Sequence, residues 1–192
     1  MPPILLASTS PYRRELLGRL RLPFEALPPG VDEAPLPGES PLERALRLAL
    51  AKAAALAASH PGHIVIGADQ VAECEGDVLG KPGDAARARA QLARQSGREV
   101  RFHSAVAVIH RAGAFQDVFC DTTTVQLRPL AAAEIEAYVA ADQPFDCAGA
   151  LRSESLGVVL CERIVSEDPT GLVGLPLIRL AASLRACGCP LP

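Results

Sequence analysis

The sequence predicts an α/β protein with a mixed, twisted β-sheet flanked by helices, and two observations lead to this class. Short apolar runs typical of buried strands alternate along the chain with segments of helical apolar spacing. The 192 residues are 49% apolar and 21% charged, a balance that a packed globular protein needs and a disordered chain lacks. At roughly 150 residues per domain, this length predicts a single domain over residues 1–192.

Local signals mark each element in turn. Helices are expected where Ser or Asp can cap free N–H groups, and in two of these helices Pro follows in the first turn. Strands are expected where apolar runs lie between turn-forming residues. In the first half these signals give a strand at 4–7, a helix from Ser10-Pro11, a loop over 23–37, a helix from Ser40-Pro41 to about Ser59, a strand at 63–67 and a hairpin over 71–79. In the second half they give a helix from Asp84 to about Gln95, strands at 100–110 and 114–127, a helix at 131–141, a strand at 156–165 and a helix at 174–186.

Charge and cysteine content exclude several classes of partner. A net charge of −3 and a pI of 5.8 argue against a polymeric nucleic acid partner, although a nucleotide needs only a local positive pocket. The six cysteines show neither a CxxC pair nor a matching histidine set, so we expect free thiols in the cytoplasm. The longest apolar tract, residues 45–58, is interrupted by Arg47 and Lys52 and is shorter than the ~20 residues of a membrane span, so we expect no membrane association.

The segment 8–14 runs from a predicted strand through hydroxyl residues into a helix N-terminus. Free backbone N–H groups and the helix dipole make such an end an anion site. Arg13 and Arg14 lie in the first turn, against the dipole, and a bound anion would account for them. The alternative is that both arginines are solvated or pair with Glu15 and Glu25.

Lysine is rare in this chain, since only two of the 19 basic residues are lysine. The other basic residues are arginine, so arginine is the default residue here for surface positive charge. The ammonium group of lysine is a compact point charge that suits a phosphate oxygen. Lys52 lies in an Ala/Leu helix and Lys81 in a Gly-Lys-Pro turn, so both are candidates for phosphate binding. The alternative for Lys52 is an ordinary surface lysine.

Carboxylates complete the candidate site. Asp69 follows the predicted strand 63–67, and open α/β sheets bind ligands beyond the carboxyl ends of their strands. Its alternative role is to cap a turn. Asp32 and Glu33 lie in the Pro/Gly-rich loop, where two acids beside a phosphate site can hold Mg²⁺ through oxygen ligands.

Seven segments, in this order, resemble the Maf family of nucleoside triphosphate pyrophosphatases over essentially the whole chain. They are LASTSPYRRELL at 6–17, VDE at 31–33, IGADQ at 66–70, LGKP at 79–82, EIEAY at 134–138, CAG at 147–149 and LVGLPL at 172–177. The resemblance implies a Maf/ITPase-like α/β fold of two lobes around a substrate cleft and a homodimer. It also implies hydrolysis of a nucleoside triphosphate to its monophosphate and pyrophosphate with a divalent metal (Mg, Mn or Co).

The resemblance also assigns roles to residues. Asp69 is expected to be the general base, and Lys52 and Lys81 to supply positive charge, because cleavage of the α–β anhydride needs activated water and charge neutralisation. Glu33 is expected to hold the metal, with Asp69 sharing it. The expected substrate-binding residues are Ser8, Tyr12, Arg13, Arg14, Gln70 and Glu154.

Tyr12, Gln70 and Glu154 stand where the commonest family pattern has Arg, Thr and Gln, and Cys147 replaces a common Lys. The common forms are associated with thymidine and uridine triphosphates, whereas these residues are similar to the subgroup that acts on 7-methyl-GTP. N7 methylation makes guanine cationic, so Tyr12 can stack on it with ~1–2 kcal/mol of cation–π energy. Glu154 can accept hydrogen bonds from the guanine edge, and Gln70 can both donate and accept.

Two alternatives to 7-methyl-GTP hydrolysis remain at this point. The chain could act on dTTP or UTP, as the commonest family members do. It could also be a binding protein that regulates cell division, because the family has been linked to septum formation.

Overall fold

A computed structural model describes the whole chain, residues 1–192, and contains a seven-stranded mixed sheet with five α-helices. The predicted α/β class is confirmed. The strands are β1 Ile4–Ala7, β2 Phe24–Leu27, β3 Ile64–Cys74, β4 Asp77–Leu79, β5 Glu99–His110, β6 Phe115–Leu127 and β7 Cys161–Val165. The helices are α1 Pro11–Gly18, α2 Pro41–Ser59, α3 Ala85–Gln95, α4 Ala132–Asp142 and α5 Leu177–Ala186, with short 3₁₀ helices at Ala148–Ala150 and Leu156–Leu160.

The sheet order, β2-β1-β3-β5-β6-β7 with β4 beside β3, creates a gap along one edge of β3. β1 pairs in parallel with β3 and stops at the Ala7–Gly67 partnership, while β4 pairs with β3 only from Ala72 onward. Between these two neighbours, residues 68–71 of β3 have a strand partner only on the β5 side. This break in the sheet positions the site described below.

Two groups of core residues lie on either side of the gap. Around β1, α2 and α5, apolar residues form two layers on the opposite faces of the sheet. The second lobe packs 15 buried residues around β4, α3 and α4. The long strands β3 and β5 contribute to both groups, so they connect the two lobes that the resemblance implies.

Helix α2 packs closely on β3 because its contact face is small. Ala45, Ala49, Ala53 and Ala57 are fully buried, and a Cβ atom on Gly67 would collide with the Ala49 carbonyl and the Ala53 nitrogen. Close packing of this kind requires Gly on the strand and Ala on the helix. It brings the next turn of α2, which carries Lys52, against the gap in the sheet.

Helix starts agree with the local signals in the sequence. The side chain of Ser10 accepts a hydrogen bond from the Arg13 N–H, and that of Asp84 from the Arg87 N–H. Ser40 and Glu43 form a capping box at the start of α2. No α-helix of the chain combines the length and apolar character that a bilayer crossing requires.

Four element predictions were wrong. Residues 24–27 form β2 rather than loop because they pair in parallel with β1, a contact that the Pro/Gly composition of the segment conceals. β3 continues through Asp69 to Cys74, because β5 pairs with it beyond the end of β1, so Asp69 lies within a strand and not after one. Residues 156–160 form a 3₁₀ helix before β7, and the Cys161 N–H closes it by donating to the Val158 carbonyl three residues earlier. Helix α5 begins at Leu177 rather than at 174, after the turn that ends in Pro176.

Candidate active site

A cavity of about 480 Å³ opens at the gap in the sheet and is lined by residues from both lobes. This volume is in the range of small-molecule sites. Nine of the ten predicted site residues line it: Ser8, Tyr12, Arg13, Glu33, Lys52, Asp69, Gln70, Lys81 and Glu154. Arg14 is exposed on α1 and does not line the cavity, because neighbouring residues on a helix point about 100° apart and Arg13 takes the inward direction.

Lys52, Asp69 and Glu33 form a cluster of opposite charges. The Lys52 ammonium nitrogen lies 2.6 Å from Asp69 Oδ1 and 2.7 Å from Glu33 Oε1. Lys52 and Asp69 are buried, whereas the Glu33 side chain is 56% exposed. A buried charge needs a paired and hydrogen-bonded partner, so each member of the Lys52–Asp69 pair holds the other in place.

The pKa of Glu33 lies below its ordinary value. Burial by itself raises this pKa, but the hydrogen bond and charge of Lys52, with the charges of Arg13 and Lys81, lower it by more than burial raises it. Arg44 of α2 also donates from Nη2 to the Glu33 backbone carbonyl at 3.0 Å. The loop that carries Glu33 is therefore held toward α2 by both its side chain and its backbone.

Arg13 and Lys81 add positive charge to the same end of the cavity. Arg13 donates from Nη1 to the Ala68 carbonyl at 2.9 Å and from Nε to the Gly174 carbonyl at 3.1 Å. Burial lowers the pKa of the Arg13 guanidinium, and the Asp69 and Glu33 charges oppose that shift. Lys81 is exposed and makes no ion pair with any carboxylate, so its ammonium is available to a ligand.

Ser8 lies at the end of β1, just before α1. The residue is buried, and its hydroxyl accepts a hydrogen bond from the Ser10 N–H at 3.1 Å. Ser8 lines the cavity together with the first residues of α1 and with Lys52. The strand-to-helix turn thus presents a hydroxyl where the helix dipole favours an anion.

Tyr12, Asp146, Cys147 and Glu154 surround the other end of the cavity. The Tyr12 hydroxyl donates to Asp146 Oδ1 at 3.2 Å, and the Arg152 guanidinium carbon lies 5.7 Å from the centre of the Tyr12 ring. Burial raises the pKa of the Tyr12 hydroxyl, and the neighbouring Cys147 raises it further. The ring is therefore held by a hydrogen bond at its tip and a cation over its face.

The two ends of the cavity differ in charge. At the first end four cationic side chains, those of Arg13, Arg44, Lys52 and Lys81, line the cavity with the two carboxylates Glu33 and Asp69. At the second end the carboxylates of Asp146 and Glu154 line the cavity, and one cation, the guanidinium of Arg152, lies beside them, 3.7 Å from Glu154. The arrangement suits a ligand with an anionic tail and a cationic or hydrogen-bond-donating head.

Three residues of the site were missed by the sequence analysis. Arg44 carried a usable signal, because positions 44, 48 and 52 share one face of α2 with Lys52. Asp146 and Arg152 reach Tyr12 from a segment about 140 residues away, and no local pattern marks them.

Glu33 and Asp69 are the carboxylates that could hold a divalent cation. No cluster of three or more His, Cys, Asp or Glu side chains suited to a metal occurs in the chain. A pair of carboxylates nevertheless fits Mg²⁺, which is commonly bound by one or two carboxylates together with water and substrate phosphates. Both oxygen ligands already meet at Lys52, so they can approach one bound ion.

The fold and the site define an α/β protein with a polar cleft between two lobes. The chain belongs to the Maf family: the family model described as Maf-like protein matches residues 3–187. It is 54% identical over 187 residues to a "7-methyl-GTP pyrophosphatase" of Bordetella parapertussis (strain 12822 / ATCC BAA-587 / NCTC 13253), covering 97% of this chain and 93% of the relative. A protein of the same name from Xanthomonas campestris pv. campestris (strain 8004) is 54% identical over 192 residues, with complete coverage of both chains.

Among solved structures, the Ham1 protein of Staphylococcus aureus aligns with a TM-score of 0.47 at 17% sequence identity. The alignment covers 65% of this chain and 71% of that one.

Proposed function

We propose that this protein hydrolyses 7-methyl-GTP to 7-methyl-GMP and pyrophosphate, and so removes a modified nucleotide from the pool. The observation that carries the proposal is the charge division of the cavity, with cationic groups around Asp69 at one end and Tyr12 and Glu154 at the other. A triphosphate matches the first end and a cationic methylated purine the second. The full-length relatives named 7-methyl-GTP pyrophosphatase support the same substrate.

In the proposed reaction, water adds across the α–β anhydride, and the bond between the α-phosphorus and the bridging oxygen breaks. Asp69 acts as general base: it orients the water and accepts its proton. Lys52 fixes the orientation of that carboxylate through the 2.6 Å contact. Arg13 and Lys81 neutralise charge on the transferring and leaving oxygens, which is the main requirement of phosphoryl transfer.

We propose Glu33 and Asp69 as the residues that would hold a divalent cation, Mg²⁺, Mn²⁺ or Co²⁺. When bound, such an ion supplies further charge neutralisation at the phosphates and acidifies water. Lys52 then serves as the residue that keeps both carboxylates converged. Their oxygen chemistry matches hard divalent ions.

At the base end, Tyr12 offers the purine the ring face that Arg152 does not cover, and Glu154 accepts hydrogen bonds from the N1–H and the exocyclic amine. The positive charge of the N7-methylated ring strengthens both contacts relative to a neutral base. A pyrimidine triphosphate would gain neither advantage.

A nucleotide panel tests the proposal. Pyrophosphate release is measured with 7-methyl-GTP, GTP, dTTP and UTP in the presence of Mg²⁺, Mn²⁺ or Co²⁺. The highest kcat/KM is expected for 7-methyl-GTP, and equal or faster turnover of dTTP or UTP would reject the assignment of the base. Asp69→Asn serves as the inactive control.

We also propose that residues 1–192 act as one Maf-like domain, and that the protein is a cytoplasmic homodimer. β7 forms an edge of the sheet and exposes Ile164 and Val165. An edge strand with free backbone groups and exposed apolar side chains can pair with a second copy of the same strand.

A further inference from the structure

The side-chain amide of Gln70 makes its hydrogen bonds with other residues of the protein. Its nitrogen Nε2 lies 2.8 Å from the Leu172 carbonyl oxygen, 3.3 Å from the Gly171 carbonyl oxygen and 2.9 Å from the Ser104 hydroxyl. Carbonyl oxygens only accept hydrogen bonds, so Nε2 is the donor in this group. Its two hydrogens are thus occupied by groups of the protein.

Ser104 converges on the same backbone. It stands directly opposite Gln70 in the pairing of β5 with β3, and it is completely buried. Its hydroxyl donates to the Gly171 carbonyl at 2.7 Å. Two cross-strand neighbours therefore hold one short stretch of backbone.

That stretch, residues 171–174, forms a wall of the cavity through the side chains of Leu172 and Val173. Its far end is fixed by Arg13, whose Nε donates to the Gly174 carbonyl at 3.1 Å. Its near end follows the buried Asp168, whose carboxylate accepts hydrogen bonds from the Thr170 N–H at 2.9 Å and the Ile178 N–H at 2.6 Å. The 171–174 wall is thus supported at both ends, and Gln70 and Ser104 hold its beginning, Gly171 and Leu172.

We infer that Gln70 and Ser104 are positioning residues for substrate selection, holding the 171–174 wall so that Leu172 and Val173 stand against the bound nucleotide. Gln70 acts through its amide donor and does not read the base directly. The inference rests on the proposed function only for the identity of the nucleotide. The clamp itself is a property of the ligand-free protein.

The expected substrate contact of Gln70 and this inferred clamp depend on different atoms of one amide. Direct reading of guanine N–H groups would use the oxygen Oε1, whereas the clamp uses the nitrogen Nε2. Gln70→Glu keeps an acceptor in place of Oε1 and replaces the donor by a second acceptor. The substitution therefore preserves direct reading and destroys the clamp, because carboxylate oxygens face the carbonyls of Gly171 and Leu172.

Hydrogen–deuterium exchange on the ligand-free protein tests the clamp without any substrate. The N–H groups of Gly171 and Gly174 are hydrogen-bonded within the segment, to the carbonyls of Asp168 and Gly171. Gln70→Glu is expected to lower their protection factors about tenfold at pH 8, as the loss of one or two hydrogen bonds implies. At pH 5 protonation of the introduced carboxyl restores a donor, so protection should recover, which simple misfolding would not allow.

Ser104→Ala should lower the same protection factors, and Gln116→Glu makes the same charge change at an exposed position of β6 outside the cavity. That control should leave protection unchanged. Unchanged protection in Gln70→Glu at pH 8 would overturn the clamp, whatever the enzyme hydrolyses.

Steady-state kinetics test whether the 171–174 wall contributes to the selection of the nucleotide substrate. Gln70→Glu at pH 8 is expected to raise KM for 7-methyl-GTP about tenfold while kcat stays within about twofold, because a wall contributes to binding equally in the ground and transition states. An unchanged or lowered KM would show direct reading by the acceptor and overturn the inference. If 7-methyl-GTP proves not to be the substrate, the same comparison is made with the best nucleotide of the panel, and the exchange result stands independently.

Discussion

The ammonium nitrogen of Lys52 lies 2.6 Å from Oδ1 of Asp69, and the two buried residues come from α2 and β3. The Lys52 ammonium also lies 2.7 Å from Oε1 of Glu33, so Lys52 has two carboxylate partners. The Asp69 carboxylate, in contrast, accepts its side-chain hydrogen bond from Lys52. The pair is thus asymmetric: loss of Asp69 leaves Lys52 with Glu33 as a partner, but loss of Lys52 leaves the buried Asp69 carboxylate without its side-chain hydrogen-bond donor. This asymmetry separates the effects of substitution on activity and on stability.

Asp69→Asn should lower kcat by at least ~100-fold with little loss of stability, because the base is neutralised and Lys52 keeps Glu33. Lys52→Met should lower the free energy of unfolding by about 3 kcal/mol, the effect of leaving a buried charge unpaired. Urea unfolding and pyrophosphate release on both variants make the comparison. Equal destabilisation by the two changes would contradict the asymmetry.

Lys52→Met should also raise the pKa of Glu33. In the unsubstituted protein this pKa is lowered overall, so the ionised form adds stability above the ordinary pKa and loses it as the pH falls through the lowered value. Without Lys52, the effect of burial is opposed only by more distant charges, and the pKa moves upward. Titration of the Glu33 carboxyl carbon by NMR measures the shift, with exposed Glu136 as the internal reference.

Tyr12→Arg combined with Glu154→Gln should shift specificity toward UTP and dTTP. The double change removes the ring and the carboxylate that favour a cationic purine and introduces positive charge. We expect the ratio of kcat/KM for 7-methyl-GTP over UTP to fall by at least about tenfold, as loss of ~1–2 kcal/mol implies. An unaltered ratio would favour pyrimidine nucleotides as the natural substrates.

The Cys147 thiol should be unreactive even though it lines the cavity. Burial raises the pKa of Cys147 to about 12, and the charge of Asp146 adds to the effect. At pH 8 roughly one molecule in ten thousand would then carry the nucleophilic thiolate. Mass spectrometry after brief iodoacetamide treatment of the folded protein should find Cys147 unmodified, whereas rapid labelling would disprove the raised pKa.

Val165→Lys should convert a dimer to a monomer. The residue is 53% exposed on the edge strand β7, where a lysine opposes strand pairing. Light scattering coupled to size-exclusion chromatography gives the mass. Ile178→Lys is the matched control, because Ile178 is 62% exposed on α5, away from β7. A monomeric mass for the unsubstituted protein would reject the proposed dimer.

Local patterns in the sequence were enough to predict the α/β class, the helix starts and most of the residues that line the cavity. Ser10, Ser40 and Asp84 cap helices through hydrogen bonds to residues three positions away, so the signal and the structure lie in the same short segment. The two lysines stood out by composition, and both line the cavity.

Which side chains meet depends on contacts between segments that are distant in the sequence. β2 exists because β1 pairs with it, and Asp69 lies inside a strand because β5 extends the pairing of β3. Gln70 turned out to hold backbone about 100 residues away, and the packing of α1 separated Arg13 from Arg14. Contacts between distant segments depend on how elements pack together, and no window of neighbouring residues carries that information.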